Sequence, residues 1–240
     1  MGLNFEFATA SKIVFGNGCI HQVPGLLGGL GKRVLLVTGS SPARTAPLTL
    51  QLPVKDFEVF LFRIESEPDT TDIQQGVEKA REKNCDVVVG FGGGSVIDSA
   101  KAIAALAPNP GDIIDYLEVI GLGKSLTRQP LPLVAIPTTA GTGAEVTKNA
   151  VIHSPEYQVK VSLRSPKMFA DVAVVDPELT LSMPPRITSF TGMDALTHLL
   201  ETFVSCQSNA FIDGFCRDGM RRISTSLVKA YENGDDLEAR

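Results

Sequence analysis

The sequence predicts an α/β fold: a parallel sheet with an edge hairpin, followed by the start of an all-helical domain. Three observations carry that expectation. Short runs that are apolar on both faces alternate with segments at helical spacing, the rhythm of a parallel sheet covered by helices. Two extended segments, 146–152 and 158–163, interrupt that rhythm with a turn between them. After Pro184-Pro185 only helical spacing remains.

Val34-Leu35-Leu36-Val37 is the first buried strand, ending at Gly39, and Glu58 to Phe62 is the second. Ile73, Val77 and Ala80 recur at helical spacing with charges between them. Val87-Val88-Val89 runs into the glycines at 92 to 94. Val96 to Ala107 then reads as a helix that Pro108 stops. Asn109 to Gln129, rich in Gly, Pro and polar residues, reads as a connection with a short helix inside. Leu133 to Ile136 is a further strand. The hairpin, turning at Ser154-Pro155, is expected at the edge of the sheet, and Val172 to Val175 closes the series before Asp176-Pro177. Ile187 to Ser205 and about Ala210 to Tyr231 are the two helices of the second part. A boundary near 182 divides residues 1–182 from 183–240.

With 240 residues, 43% of them apolar and 20% charged, the chain can bury a core and is not of disordered composition. The net charge is −5 and no basic run exceeds Arg221-Arg222, which argues against nucleic-acid and anionic-membrane partners. No apolar run approaches the ~20 residues of a membrane span. The N-terminus lacks the basic-then-apolar pattern of a signal peptide, and Glu6 stands where myristoylation requires Ser or Thr. Cys19, Cys85, Cys206 and Cys216 fit no zinc or redox spacing, so reduced thiols in a soluble cytoplasmic protein are expected.

The densest chemical signal is Gly92-Gly93-Gly94-Ser95-Val96-Ile97-Asp98, between a strand and a helix. Glycines let a ligand approach the backbone, and the N–H groups and dipole of a helix start favour a phosphate. Ser95 is expected to cap the helix, with Asp98 completing a capping box. The spacing is neither that of a Rossmann fingerprint nor that of a Walker loop. It specifies a phosphate but not which one, and a ligand-free turn has the same pattern. A second loop, Pro137 to Glu145, places Thr138, Thr139 and Thr142 after the strand that ends at Ile136. In open α/β sheets that is where ligands bind. Asp194 and His198, four apart, share one helix face with Glu201 and can contribute two ligands to a divalent ion. An ordinary surface Asp–His pair has the same spacing. His21, in an N-terminal helix, and His153, in the hairpin, read as surface residues.

Taken together, Gly90-Phe91-Gly92-Gly93-Gly94-Ser95, Ala135 to Thr147, Met183-Pro184-Pro185 and Gly192-Met193-Asp194-Ala195-Leu196-Thr197-His198 resemble the iron-containing (group III) alcohol dehydrogenases in order and spacing. The resemblance implies a dinucleotide-binding domain over 1–182 and the first part of a helical metal-binding domain over 183–240. It implies that Gly92, Gly93, Gly94 and Ser95 hold the pyrophosphate of NAD or NADP, with Asp98 in the same turn. It implies that Thr138, Thr139 and Thr142 line the cofactor cleft, that Lys160 reaches the cofactor, and that Asp194 and His198 bind the metal, Fe²⁺ ahead of Zn²⁺. The reaction implied is reversible hydride transfer between a small alcohol or aldehyde and NAD(P), without a nucleophilic side chain. Some NAD-preferring members carry an acid where Gly39 stands, so Gly39 implies that NADP is tolerated or preferred, although apart from Arg44 no nearby arginine offers itself as a phosphate partner.

Full members carry two further histidine ligands in a longer helical domain, and this sequence has no histidine beyond His198. The chain is therefore read as truncated relative to the family, and the four-ligand site is not expected from it alone. Two alternatives stay open: another reaction of the superfamily, maleylacetate reductase or dehydroquinate synthase, and a dinucleotide-binding module without catalysis. Leu199, Leu200, Phe203, Phe211 and Phe215 are expected to leave an exposed apolar patch that favours a homo-oligomer.

Overall fold

The computed structural model describes residues 4–53 and 55–240. In chain order the elements are β1 (Lys12–Phe15), α1 (Val23–Leu27), β2 (Arg33–Gly39), α2 (Pro42–Thr49), β3 (Glu58–Ile64), α3 (Thr70–Glu82), β4 (Val87–Gly92), α4 (Gly94–Leu106), α5 (Ile113–Tyr116), β5 (Leu133–Pro137), β6 (Asn149–Ser154), β7 (Val159–Arg164), β8 (Val172–Val175), α6 (Pro185–Val204) and α7 (Ala210–Glu232). The described residues fall into two compact units, one within 9–137 and 144–176, the other within 4–8, 138–143 and 177–240.

The first unit is built on a six-stranded sheet of order β1-β8-β5-β4-β2-β3, parallel throughout. The chain moves outward from β2 to β3, then returns to lay β4 on the other side of β2. The strand order therefore reverses between β2 and β4, the crevice where open α/β sheets bind ligands. The central strands are buried on both faces, Val34 to Val37 and Val87 to Val89 being sealed from solvent. Helix α3 starts at a capping box in which Asp69 accepts from the N–H groups of Thr71 and Asp72 and Asp72 reciprocates. Its Ile73, Val77 and Ala80 enter the core as their spacing predicts. Buried Asn109 pins the 109–129 connection, donating to the Ala105 carbonyl at 2.7 Å and accepting from the Thr127 and Arg128 N–H groups.

The hairpin β6–β7 departs from expectation. It forms a separate two-stranded sheet rather than an edge of the large one, and it packs against α4. From Val96 to Leu106 every residue of α4 except Asp98 is buried, so this alanine-rich helix is apolar nearly all round and needs a cover on both sides. The buried face of the hairpin, Ala150, Ile152, Val161 and Leu163, supplies the second cover and joins the same core. The sheet edges are instead β3 and the four-residue β1, which the sequence reading omits. Helix α2, also omitted, forms despite Pro47 within it. His21 lies in a short 3₁₀ turn, Cys19–Gln22, ahead of α1, and His153 is half-buried in β6.

In the second unit α6 and α7 run antiparallel. A Cβ at Gly192 would meet Leu227 and one at Gly219 would meet Leu199, so the two glycines bring the helices together at two points along their length. Asn209 caps α7, accepting from the Phe211 and Ile212 N–H groups at 3.1 Å each. Leu200, Phe211 and Phe215 are exposed as expected, while Leu199 and Phe203 are half-buried between the helices. Phe5 and Phe7 stack with Phe211 and Phe215 in a cluster of exposed rings 5.0 to 6.4 Å apart. Among the described residues no helix is long and apolar enough to cross a membrane.

Candidate functional site

Strands β2 and β4 end level with each other, Thr38 pairing Phe91, so Gly39 and Gly92 flank the crevice side by side. Helix α4 begins directly after Gly93, the residue at its N-cap. A Cβ at Gly92 would lie 2.7 Å from the Cβ of Val96, and one at Gly90 would lie 2.8 Å from that of Ala100. Glycine at these two positions lets the helix lie down on the strand. No side chain caps α4. The N–H groups of Val96 and Ile97 turn back to the Gly93 carbonyl at 3.0 Å, leaving those of Gly94 and Ser95 at the helix mouth for a ligand.

The capping box predicted for Ser95 and Asp98 is absent, because the helix opens before Ser95 rather than at it. Ser95 is exposed in the first turn. Asp98 lies further along and turns to the hairpin: it accepts from the Val151 N–H at 3.1 Å and pairs with Lys101 at 3.1 Å. Lys101, 1% exposed, also donates to Thr147 Oγ1 at 3.0 Å and to the Asn149 carbonyl at 2.5 Å. Burial pushes the Asp98 carboxyl up and the Lys101 ammonium down, their mutual attraction offsetting part of each shift. Glu145 joins this group electrostatically and its carboxyl is likewise raised by burial. The sequence reading passed over Lys101; its signal was a lone acid–base pair at i,i+3 spacing on an otherwise apolar helix.

Of the threonines, Thr139 stands out: among the described residues its Oγ1 is buried without a hydrogen-bond partner. An orphaned hydroxyl of this kind fits a site that a ligand completes. Gly141, at φ +141°, lies against the Thr191 carbonyl of α6, where any Cβ would collide. The threonine loop thus rests on the turn of α6 that precedes Asp194. Asp194 Oδ1 and His198 Nε2 are 3.6 Å apart and half-exposed, at 49% and 54%. The spacing and donor types fit two ligands of one divalent ion, although among the described residues no group of three His, Cys, Asp or Glu could hold a metal. Glu201, on the same helix, does not complete such a group.

Lys160, on β7, pairs with Glu67 of the β3–α3 loop at 2.6 Å. The first unit sets Gly39 and the glycine turn at adjacent strand ends and carries Lys160 on its hairpin, paired with Glu67. The second holds Thr138, Thr139 and Thr142 with Asp194 and His198.

Two family models divide the chain almost as these units do. "Iron-containing alcohol dehydrogenase" matches residues 10–177 and "Fe-containing alcohol dehydrogenase family, C-terminal" matches 188–240. The chain belongs to the iron-containing alcohol dehydrogenase family. Among its relatives, the NAD-dependent methanol dehydrogenase of Bacillus methanolicus is 38% identical over 242 residues, which cover 99% of this chain and 62% of the relative. The choline dehydrogenase of Bacillus subtilis (strain 168) is 37% identical over 241 residues, covering 98% of this chain and 59% of that protein. The sulfoacetaldehyde reductase from Bifidobacterium kashiwanohense, solved with NAD⁺, superposes with a TM-score of 0.92 at 31% identity, over 99% of this chain and 63% of that one. The chain thus spans about three-fifths of the length of these iron-containing alcohol dehydrogenase relatives.

Proposed function

We propose that this chain carries the nucleotide site and two metal ligands of an oxidoreductase that moves a hydride between a small alcohol or aldehyde and NAD or NADP. The observation that carries the reading is the uncapped mouth of α4, held on β4 by Gly90 and Gly92 at the point where the strand order reverses. In this reading the N–H groups of Gly94 and Ser95 bind the pyrophosphate. Gly92 and Gly93 keep its approach clear. Asp98 acts through Lys101, holding the start of the hairpin on α4. Thr138, Thr139 and Thr142 orient the nicotinamide end, Thr139 gaining there the partner it lacks, and Lys160 contributes a positive charge. Gly39 presents no carboxylate, and a Cβ there would meet nothing within 4 Å, so the space of a 2′-phosphate is unopposed at that position.

Asp194 and His198 would hold a divalent ion, Fe²⁺ ahead of Zn²⁺, which when bound polarises the substrate oxygen as a Lewis acid. In a 1–182 and 183–240 division, the first part binds nucleotide and the second begins the metal domain. A cytoplasmic location accords with free thiols at all four cysteines.

A second reading, nucleotide binding without turnover, is favoured by one observation: the described residues bring only two metal donors together. NADH and NADPH binding followed by nucleotide fluorescence, with oxidation assayed on small aldehydes with and without Fe²⁺ or Zn²⁺, separates the two. Metal-dependent turnover supports the enzyme, binding alone supports the module, and no binding of either nucleotide overturns both.

A further inference from the structure

We propose that Glu67 is a specificity residue of this site, holding Lys160 and setting the chain against a 2′-phosphorylated nucleotide. The inference rests on the dinucleotide reading above and adds a residue to it. In doubly wound folds an acid at the end of the second strand receives the ribose hydroxyls and repels a 2′-phosphate. Here β2 ends in Gly39 and offers no such acid. Strand β3, however, lies beside β2 at a spacing of about 4.8 Å, and its last residue, Ile64, is in register with Gly39. The chain then continues as Glu65-Ser66-Glu67. The carboxylate missing from one strand end stands on the loop after its neighbour.

That loop is anchored at its far end. The Pro68 carbonyl accepts from the His153 N–H at 2.9 Å, and Asp69 bridges to His153 and caps α3. Opposite His153 in the hairpin register is Lys160, which brings its ammonium to Glu67. The two side chains are 57% and 51% exposed. An ion pair so exposed contributes little to stability, so either member exchanges readily to a ligand. With Glu67 in place, the charge of Lys160 is partly offset and a 2′-phosphate would meet a carboxylate. The hydroxyls of NAD lose nothing there. Glu67→Gln removes the repulsion and releases the lysine together.

The test is the dissociation constants of NADH and NADPH for the unaltered chain, Glu67→Gln, Glu65→Gln, and Glu67→Gln combined with Lys160→Met. One charge acting over a few ångströms near water changes an affinity about fivefold. Glu67→Gln is expected to tighten NADPH about five- to tenfold and to leave NADH within about twofold. Adding Lys160→Met abolishes most of that gain, and Glu65→Gln gives less than half of it. Unchanged NADPH affinity, an equal change for both nucleotides, or an equal effect of Glu65→Gln overturns the assignment while leaving the dinucleotide reading intact. An unaltered chain that binds neither nucleotide removes that reading and this inference with it.

Discussion

Replacing Lys101 by Met is the sharpest probe of how the nucleotide helix is held. The methionine keeps most of the aliphatic stem, so little cavity forms. What is lost is the ammonium, with its ion pair to Asp98 and its bonds to Thr147 and Asn149. Asp98 is left with the Val151 N–H at a site where its side chain is 16% exposed. Because burial is the largest influence on both groups, the pair as a whole adds little net stability, yet breaking it from one side is costly. The expected loss is about 3–5 kcal/mol, a large part of the roughly 5–15 kcal/mol that holds a typical domain together. Lys101→Met with Asp98→Asn should lose clearly less, since no charge remains stranded.

The pH dependence has a definite sign. A carboxyl whose folded-state pKa lies above its unfolded value takes up a proton on folding. Its contribution then falls as pH rises through the window between the two values. Burial places Asp98 in that class, and Lys101 is the strongest opposing influence. Without Lys101 the window extends upward, so the deficit of the variant is smallest at acid pH and grows toward neutrality. Urea unfolding followed by circular dichroism at several pH values measures this. A deficit below about 1 kcal/mol, or one that does not vary with pH, would refute the argument.

Four further outcomes follow from the same structure. Gly92→Ala drives a methyl into Val96; it should cost about 1–3 kcal/mol by thermal unfolding and weaken NADH binding, whereas unaltered binding would remove the glycine turn from the site. Gly39→Asp enters open space, so the melting temperature should hold while NADPH binding weakens about tenfold relative to NADH. A thiol reagent should modify one cysteine rapidly in the native chain, Cys206, because Cys19, Cys85 and Cys216 are buried and the Cys85 thiol is pushed up to about 11; three or more fast thiols would contradict the packing. Light scattering should show association that rises with concentration and falls when Phe211 and Phe215, both exposed, are changed to serine; a monomer at every concentration would count against the apolar patch.

The buried strands were legible in the sequence because burial on both faces leaves no room for a polar residue between Val34 and Val37 or Val87 and Val89. Helices α3, α6 and α7 were legible from the spacing of their apolar residues. Other features depend on tertiary context. Alternation identifies β6 and β7 as strands but does not say what their apolar faces cover, and the answer is a helix rather than the sheet. Strand β1 is four residues long with Ile13 and Phe15 exposed, so no burial pattern marks it. Pro47 hides α2. The glycine turn was found, but its cap was misassigned: Ser95 has the right chemistry two positions too late, since glycines at 93 and 94 already satisfy the backbone geometry of the helix start. Lys101 and Glu67 were missed for a common reason. Their significance lies in partners distant in sequence, Thr147 and Asn149 for one and Lys160 for the other.

Helix α4 is enclosed by the sheet on one side and the hairpin on the other, with almost no face toward water. Amide protons in such a helix have no local route to solvent; they exchange when one of its covers comes away. A ligand at its first turn is therefore fastened to one of the most enclosed stretches of its unit. Its occupancy would register as slower hydrogen exchange throughout β4, α4 and the hairpin together, rather than as protection confined to the residues it touches.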